Sequence, residues 1–283
     1  MSLSSNKIGY STAGFVDRDL EEALRTIGAE GYDRVEIGAL DRHLAGRLEG
    51  NAPTELRDML EEVGLSGGTV HAPMGETVLG GTDEEWRKKN VDVYSRFLEF
   101  AHAIGSTGLV VHPVPNPAIP EVLAAADRVR DAVIKSLDEL VPVAQRTGVR
   151  LLLENLPFYG EFPLLTMQEL RPVVDDYPAS AVGLVIDTGH AWTRGVDPAS
   201  EIRAAGDRLH ATHIQDVDYD NPRDNHWPPT QGGLDWDSIL DALKEIGYAD
   251  TLTFEILRGR NGETPEEMAQ ICRGLAGTWR GEA

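Results

Sequence analysis

Six residues able to hold a metal ion or a proton close successive short apolar runs. They are His71 after Gly-Gly-Thr-Val, His112 after Leu-Val-Val, Glu154 after Leu-Leu-Leu, Asp187 after Leu-Val-Ile, His213 after Leu-His-Ala-Thr, and Glu255 after Thr-Leu-Thr-Phe. Taken singly, each has an ordinary explanation: a strand-end histidine often only packs, and Asp before Thr-Gly is a common turn former. Six in register are harder to dismiss, because carboxylates that follow runs this apolar are costly unless a cation neutralises them. Two neighbouring carboxylates would raise each other's pKa, whereas a divalent ion keeps both ionised. The mixed oxygen and imidazole set Glu154, Asp187, His213 and Glu255 suits Mn²⁺, Zn²⁺, Mg²⁺ or Co²⁺, and ligand type leaves that choice open. His190, three residues past Asp187, reads as a further ligand or as a proton donor just behind the ligands. After His213 comes a Pro-rich loop in which Asp224 and His226 stand two apart; Gly232-Gly233 then permits a sharp turn before Asp235 caps a helix.

These residues need a scaffold that brings strand ends together. Short β-branched runs alternate with Ala/Leu/Glu-rich helical patterns eight times. The predicted strands are 7–12, 34–40, 68–72, 109–112, 150–154, 182–187, a strand from Leu209 through His213, and 251–256. The predicted helices are 19–29, 53–63 with Pro53 in the first turn, a long one from the Asp83 cap to about 104, 121–146 interrupted near Pro142, 166–176, 198–205, 236–246, and a last one opened by the capping box Thr264-Pro265-Glu266-Glu267. Regular alternation argues a parallel sheet, and eight units argue that it closes into a (β/α)8 barrel, an α/β fold of roughly 250 residues whose chemistry sits at the C-terminal ends of the strands. The competing open doubly wound sheet lacks support, since Ser11-Thr12-Ala13-Gly14 does not have the spacing of a dinucleotide turn. No linker divides the chain, so residues 1–283 read as a single domain, with 1–5 disordered or a cloning remnant.

Composition bounds the function. With 41% hydrophobic residues the chain can fill a core, while no run approaches the ~18 uncharged residues of a membrane span. The start shows neither a basic nor an apolar leader region, and the expectation is a cytoplasmic protein. Cys272 is the only cysteine, which excludes an internal disulfide and a thiolate metal cluster; it reads as packing. The formal net charge is -21, a field that repels nucleic acid and acidic surfaces. Only five of the 26 cations are Lys, a Lys-poor and acid-rich balance like that of cytosolic proteins from salt-loving (halophilic) organisms.

The motifs TVHAP, VVHP, LLLEN, IDTGHAW, HIQD, DNHWPP with a following Gly-Gly-x-Asp-Trp, and TFEI, in this order, resemble the successive strand ends of the xylose isomerase-like TIM-barrel superfamily. That superfamily groups sugar and sugar-phosphate isomerases and epimerases with the endonuclease IV family, and the resemblance covers nearly the whole chain. It implies a divalent-metal-dependent enzyme of carbohydrate metabolism in which Glu154, Asp187, His213 and Glu255 hold one ion. A metal-stabilised enediolate would form as Glu154 and Glu255, on opposite faces of the sugar, exchange a carbon-bound proton, and His190 would steady a substrate oxygen. The implied partner is a small sugar or sugar phosphate, with nucleic acid and membrane not expected and a homo-oligomer allowed.

The endonuclease IV branch implies an alternative, an apurinic-site phosphodiesterase with three zinc ions held by His71, His112, Glu154, Asp187, His190, His213, Asp224, His226 and Glu255. Hence His71, His112, Asp224 and His226 stand as additional metal or substrate contacts. Against the nuclease, the cations expected at the mouth are few (Arg194, Arg223, Arg258 and Arg260), and IDTGH and HIQDV depart from the nuclease pattern of Cys before His and of Asn-Asp-Ser. Arg258 and Arg260, before the last helix, occupy the place where barrels often grip a phosphate. Trp192, Trp227 and Trp236 are candidates for an aromatic wall at the mouth.

Overall fold

The computed structural model describes residues 3–115, 125–157 and 162–282. Eight strands run parallel: β1 (Ile8–Ser11), β2 (Arg34–Gly38), β3 (Ser66–His71), β4 (Gly108–Val111), β5 (Arg150–Glu154), β6 (Val182–Asp187), β7 (Leu209–His213) and β8 (Leu252–Phe254). They pair in the order β7-β6-β5-β4-β3-β2-β1-β8, which makes a nearly closed (β/α)8 barrel. At the β7–β8 seam a single parallel bridge joins Ile214 to Phe254. Ile214 N donates to Thr253 O (2.8 Å) and Glu255 N to Ile214 O (3.2 Å). Below the bridge the Thr212 hydroxyl replaces the missing ladder, accepting from Thr253 N at 3.0 Å.

Eight helices of at least two turns cover the outside among the described residues: α1 (Leu20–Ala29), α2 (Ala52–Glu62), α3 (Glu84–Ala103), α4 (Val129–Thr147), α5 (Met167–Val174), α6 (Pro198–Ala205), α7 (Trp236–Glu245) and α8 (Pro265–Arg280). Their apolar stripes face inward; in α1, Leu20, Ala23, Leu24 and Ile27 are the buried positions, spaced as one helical face requires. The expected caps form. Asp83 accepts from Trp86 N, and Thr264 and Glu267 make a reciprocal capping box. None of these helices is long and apolar enough to cross a membrane. Cys272 is buried in the core.

Leu3 is 1% exposed in the core, where an apolar side chain gains by burial. Two expectations need correction. Pro142 does not interrupt α4, which runs unbroken from Val129 to Thr147 with Pro142 exposed on its surface; the missing N–H removes one intrahelical bond without ending the helix. The expected start of that helix falls partly outside the described residues; from Ala126 to Arg128 the chain is a 3-10 turn that leads into α4. The short helix Thr188–Thr193 and the single turn Asp41–Leu44 were not expected at all, since each is too brief to show a period.

The long loop from Val217 to Asp235 is organised by one carboxylate. Asp216 accepts from the backbone N–H groups of Val217 (2.9 Å), Thr230 (2.9 Å), Gly233 (3.0 Å) and Leu234 (3.2 Å) and from Trp236 Nε1 (3.0 Å). Gly232 lies against it so closely that an added Cβ would come within 2.2 Å of Asp216 Oδ1. Asp216→Ala leaves these buried donors without an acceptor and is expected to destabilise the protein by about 3 kcal/mol or more, read as a lower urea midpoint. A shift below about 1 kcal/mol would show that the loop holds itself by other contacts.

Candidate metal centre

Side chains alternate along a strand, so residues two apart point the same way. Val110, Leu152, Val185 and Ala211 form a small apolar cluster of their own, apart from the core between sheet and helices; this is the barrel's interior plug. Two residues further on stand His112, Glu154, Asp187 and His213, which therefore make a polar layer directly above the plug. His71 joins this layer from the end of β3 and Glu255 from just past β8. The backbone pairs Asp187 with His213 across β6 and β7.

The contacts within the layer are short. His213 Nδ1 lies 2.9 Å from Glu154 Oε1 and 3.1 Å from Glu255 Oε2. His112 Nε2 and His71 Nε2 lie 3.1 and 3.4 Å from Glu154 Oε2. Asp224 Oδ1 meets His226 Nε2 at 2.8 Å and His190 Nε2 at 3.2 Å. Three of the rings are anchored through Nδ1 on backbone carbonyls: His71 donates to Ala72 O (2.8 Å), His190 to Asn155 O (3.0 Å) and His226 to Glu255 O (3.0 Å). Anchoring one ring nitrogen turns the other toward the carboxylates, which is how metal-binding histidines are oriented.

Burial opposes charge on every one of these groups, and mutual attraction overrides it on most. Burial alone would lower the imidazoles, but the carboxylates lift His71 and His226 to about 9 and His190 and His213 well above their usual value. Burial would likewise raise Glu154, yet His213, His112 and His71 hold it well below the usual carboxylate range. Two groups go the other way: burial lowers His112, and it lifts Asp187 to about 6 against the pull of His190 and His226.

A divalent ion fits this donor set. One ligand atom each from Glu154, Asp187, His213 and Glu255 lies within 4.8 Å of the others, and all four residues are buried. Asp187 Oδ1 is already used by His190 N (2.7 Å) and Gln215 Nε2 (3.0 Å), while Asp187 Oδ2 is buried without a hydrogen-bond partner. Such an oxygen calls for a cation. The same closeness holds for His71, His112 and Glu154, for His71, His213 and Glu255, and for Asp187, His190 and His226. All nine residues singled out in the sequence thus gather at one mouth.

Several residues that shape the site had no role in the sequence reading. Asn155 clamps β5 to β6, donating to Asp187 O (2.9 Å) and accepting from Asp187 N (2.7 Å). Gln215 bridges Asp187 and the long loop, accepting from His226 N at 3.0 Å. Gly189 lets Gln215 approach, since an added Cβ would stand 2.3 Å from its amide. Glu36 is buried on β2 with Oε2 2.9 Å from His213 Nε2. A lone acid inside Arg-Val-Glu-Ile-Gly was the available signal, and it stood in the middle of a strand, away from the strand ends. His226 itself adopts a left-handed backbone (φ 50°), a conformation costly for a residue with a Cβ and held by the surrounding contacts.

The aromatic wall needs correction. Trp236 packs outside the barrel against Trp279 (ring centroids 5.4 Å apart), because its N–H is drawn to Asp216. Trp192 stacks on Tyr219 at 4.5 Å, and Trp227 carries the Arg260 guanidinium over its ring at 4.8 Å. Arg260 also donates to Gln231 O, while Arg258 is exposed.

His71 and His226 keep their protons to about pH 9 in the folded, metal-free state but lose them near 6.5 when unfolded. Over that window the folded form binds more protons, so its stability falls as pH rises. Asp187 acts in the same direction lower down, holding a proton to about 6 when folded against 3.8 unfolded. The Tm of metal-stripped protein in chelator is therefore expected to fall between about pH 6 and about pH 9. A Tm that rises across that window would contradict the charge arrangement.

A family model described as the xylose isomerase-like TIM barrel matches residues 24–275. The D-psicose 3-epimerase of Enterocloster bolteae is 33% identical over 88% of this chain and 81% of its own length. The inosose isomerase of Bacillus velezensis is 25% identical over 85% of this chain and 84% of its own. A crystal structure described as the IOLI protein with a binding zinc atom superposes with a TM-score of 0.80 at 22% identity, covering 98% of both chains. With its fold, its ordered strand-end motifs and a family match over most of its length, the chain belongs to the xylose isomerase-like TIM-barrel family.

Proposed function

We propose that this protein is a divalent-metal-dependent isomerase or epimerase acting on a sugar or sugar phosphate. The observation that carries the reading is the buried cluster Glu154, Asp187, His213 and Glu255, with ligand atoms within 4.8 Å of one another and one Asp187 oxygen without a hydrogen bond. The names of the relatives, an epimerase and an isomerase, and the zinc in a structure of the same fold support it. Glu154, Asp187, His213 and Glu255 would hold the ion, which would supply Lewis-acid polarisation of a carbonyl and its neighbouring hydroxyl.

The chain's own residues then handle the proton. Glu154 and Glu255 both face His213 Nδ1, and on this reading one carboxylate takes the proton from a carbon beside the carbonyl while the other returns one. His190, fixed on the Asn155 carbonyl, would orient a substrate oxygen. Arg258 is the better candidate for a phosphate, since Arg260 is held by Trp227 and Gln231. The same reading takes residues 1–283 as one cytoplasmic domain. It also takes the charge of -21 as suited to high salt, so that raising KCl toward 1 M raises Tm by screening like charges.

A second reading, the trinuclear zinc phosphodiesterase, draws on the further ligand sets around His71, His112, His190 and His226. The names of the relatives do not favour it. Elemental analysis of protein purified without chelator separates the two: about one metal equivalent, unchanged in His226→Ala, is expected for the isomerase. Close to three zinc ions, falling in that variant, would overturn it. For the isomerase, a ketose panel in D2O should show deuterium entering at the carbon beside the carbonyl. Glu154→Gln or Glu255→Gln should slow that exchange by about 10²–10⁴-fold, and exchange that survives in both variants would sink the proposed acid/base pair.

A further inference from the structure

We infer that Glu36 is a positioning residue that fixes which nitrogen of His213 faces the metal site; the inference rests on the proposed role of His213 as a ligand. Glu36 comes from β2, on the far side of the barrel from β7, and its side chain is fully buried. Its Oε2 accepts from His213 Nε2 at 2.9 Å and from the Thr69 hydroxyl at 2.7 Å. The opposite edge of the same imidazole, Nδ1, faces Glu154 and Glu255 at 2.9 and 3.1 Å. The His71 ring lies stacked beside it, centroids 5.7 Å apart and planes 19° from parallel.

A neutral imidazole has one N–H and one lone pair. With the N–H at Nε2 donating to Glu36, the lone pair is at Nδ1, among the other ligand atoms. With a cation among the Nδ1-side ligand atoms, the other tautomer would point an N–H at that cation and the Nε2 lone pair at the Glu36 oxygen, two repulsive contacts in a dry interior. An acceptor on the far nitrogen also makes the ligating nitrogen more electron-rich, which strengthens its bond to a cation. A carboxylate is an expensive way to fill space in a barrel interior, where an apolar side chain of similar size costs nothing to desolvate. Its pairing with a ring that faces the ligand cluster supplies the reason for keeping it, and Thr69 holds the carboxylate in place.

The test reads zinc affinity of the full-length, metal-stripped protein by competition with a chromophoric chelator at fixed pH. Glu36→Leu removes the acceptor and is expected to weaken zinc binding about 10–100-fold, whereas Glu36→Gln keeps an amide oxygen for the N–H and should lose less than about 10-fold. Glu36→Leu binding zinc as tightly as the wild type would overturn the inference. A second readout needs no variant at this position: long-range ¹H–¹⁵N correlation on the zinc-loaded protein should find His213 protonated at Nε2 and ligated at Nδ1. A ligated Nε2 would overturn the proposal, and this readout decides should Glu36→Leu fail to fold. His213→Asn, which also identifies the His213 signals, separates the two levels of argument. If His213→Asn leaves affinity unchanged, the ligand role of His213 falls; if it weakens binding while Glu36→Leu does not, only the role of Glu36 falls.

Discussion

Glu154 sits with no measurable exposure at the end of a strand of three leucines, and both of its oxygens are spoken for: Oε1 by His213, Oε2 by His112 and His71. A carboxylate buried so deeply is tolerable only where opposite charge surrounds it. That requirement reaches outward through the mouth of the barrel. It needs β3, β4, β5 and β7 to end at the same height, and it needs the rings turned so that their free nitrogens converge. The barrel's closure provides the first, and the backbone carbonyls that anchor His71, His190 and His226 provide part of the second.

The supports of the layer come mostly from groups that carry no charge. Asn155 ties the ends of β5 and β6 together through the Asp187 backbone, and Gln215 holds Asp187 Oδ1 with its amide N–H while its oxygen receives His226 N. Neutral amides suit this work because they can donate and accept at once without adding to a crowded field. Glu36 is the exception, a charge placed beneath the layer, and it is matched to the imidazole that carboxylates also face from above. Rigid support of this kind keeps ligand groups poised and lowers the cost of reorganising when a ligand arrives.

Beyond the layer, the long loop after β7 is a separate construction with its own centre. Asp216 gathers the loop's backbone N–H groups and the Trp236 indole, which draws α7 against the barrel and carries Asp224 and His226 over the mouth. The left-handed backbone at His226 is a consequence of that fit. The acidic exterior, by contrast, meets solvent and plays no part in the cluster; the net charge of -21 bears on solubility and salt response.

Much of this was legible in the amino-acid order. Val182–Asp187 and Arg150–Glu154 end where the apolar runs end, and the helix starts at Asp83, Thr264 and Pro198 follow from local capping chemistry, because strand and helix periods and caps are properties of neighbouring residues. The strand-end ligand-type residues were visible for the same reason, each standing where a short, mostly apolar run stops. What neighbours in sequence cannot encode is which side chains meet across the barrel. That Glu36 lies 2.9 Å from His213 despite 177 residues of separation, that Trp236 turns outward to Asp216 and Trp279, and that Leu3 is buried all depend on how eight strands close and tilt. Composition and periodicity determined the elements and the kinds of group at their ends; the closed barrel decided which of those groups share a charge, because Coulombic and hydrogen-bond partners are set by distance in space and not along the chain.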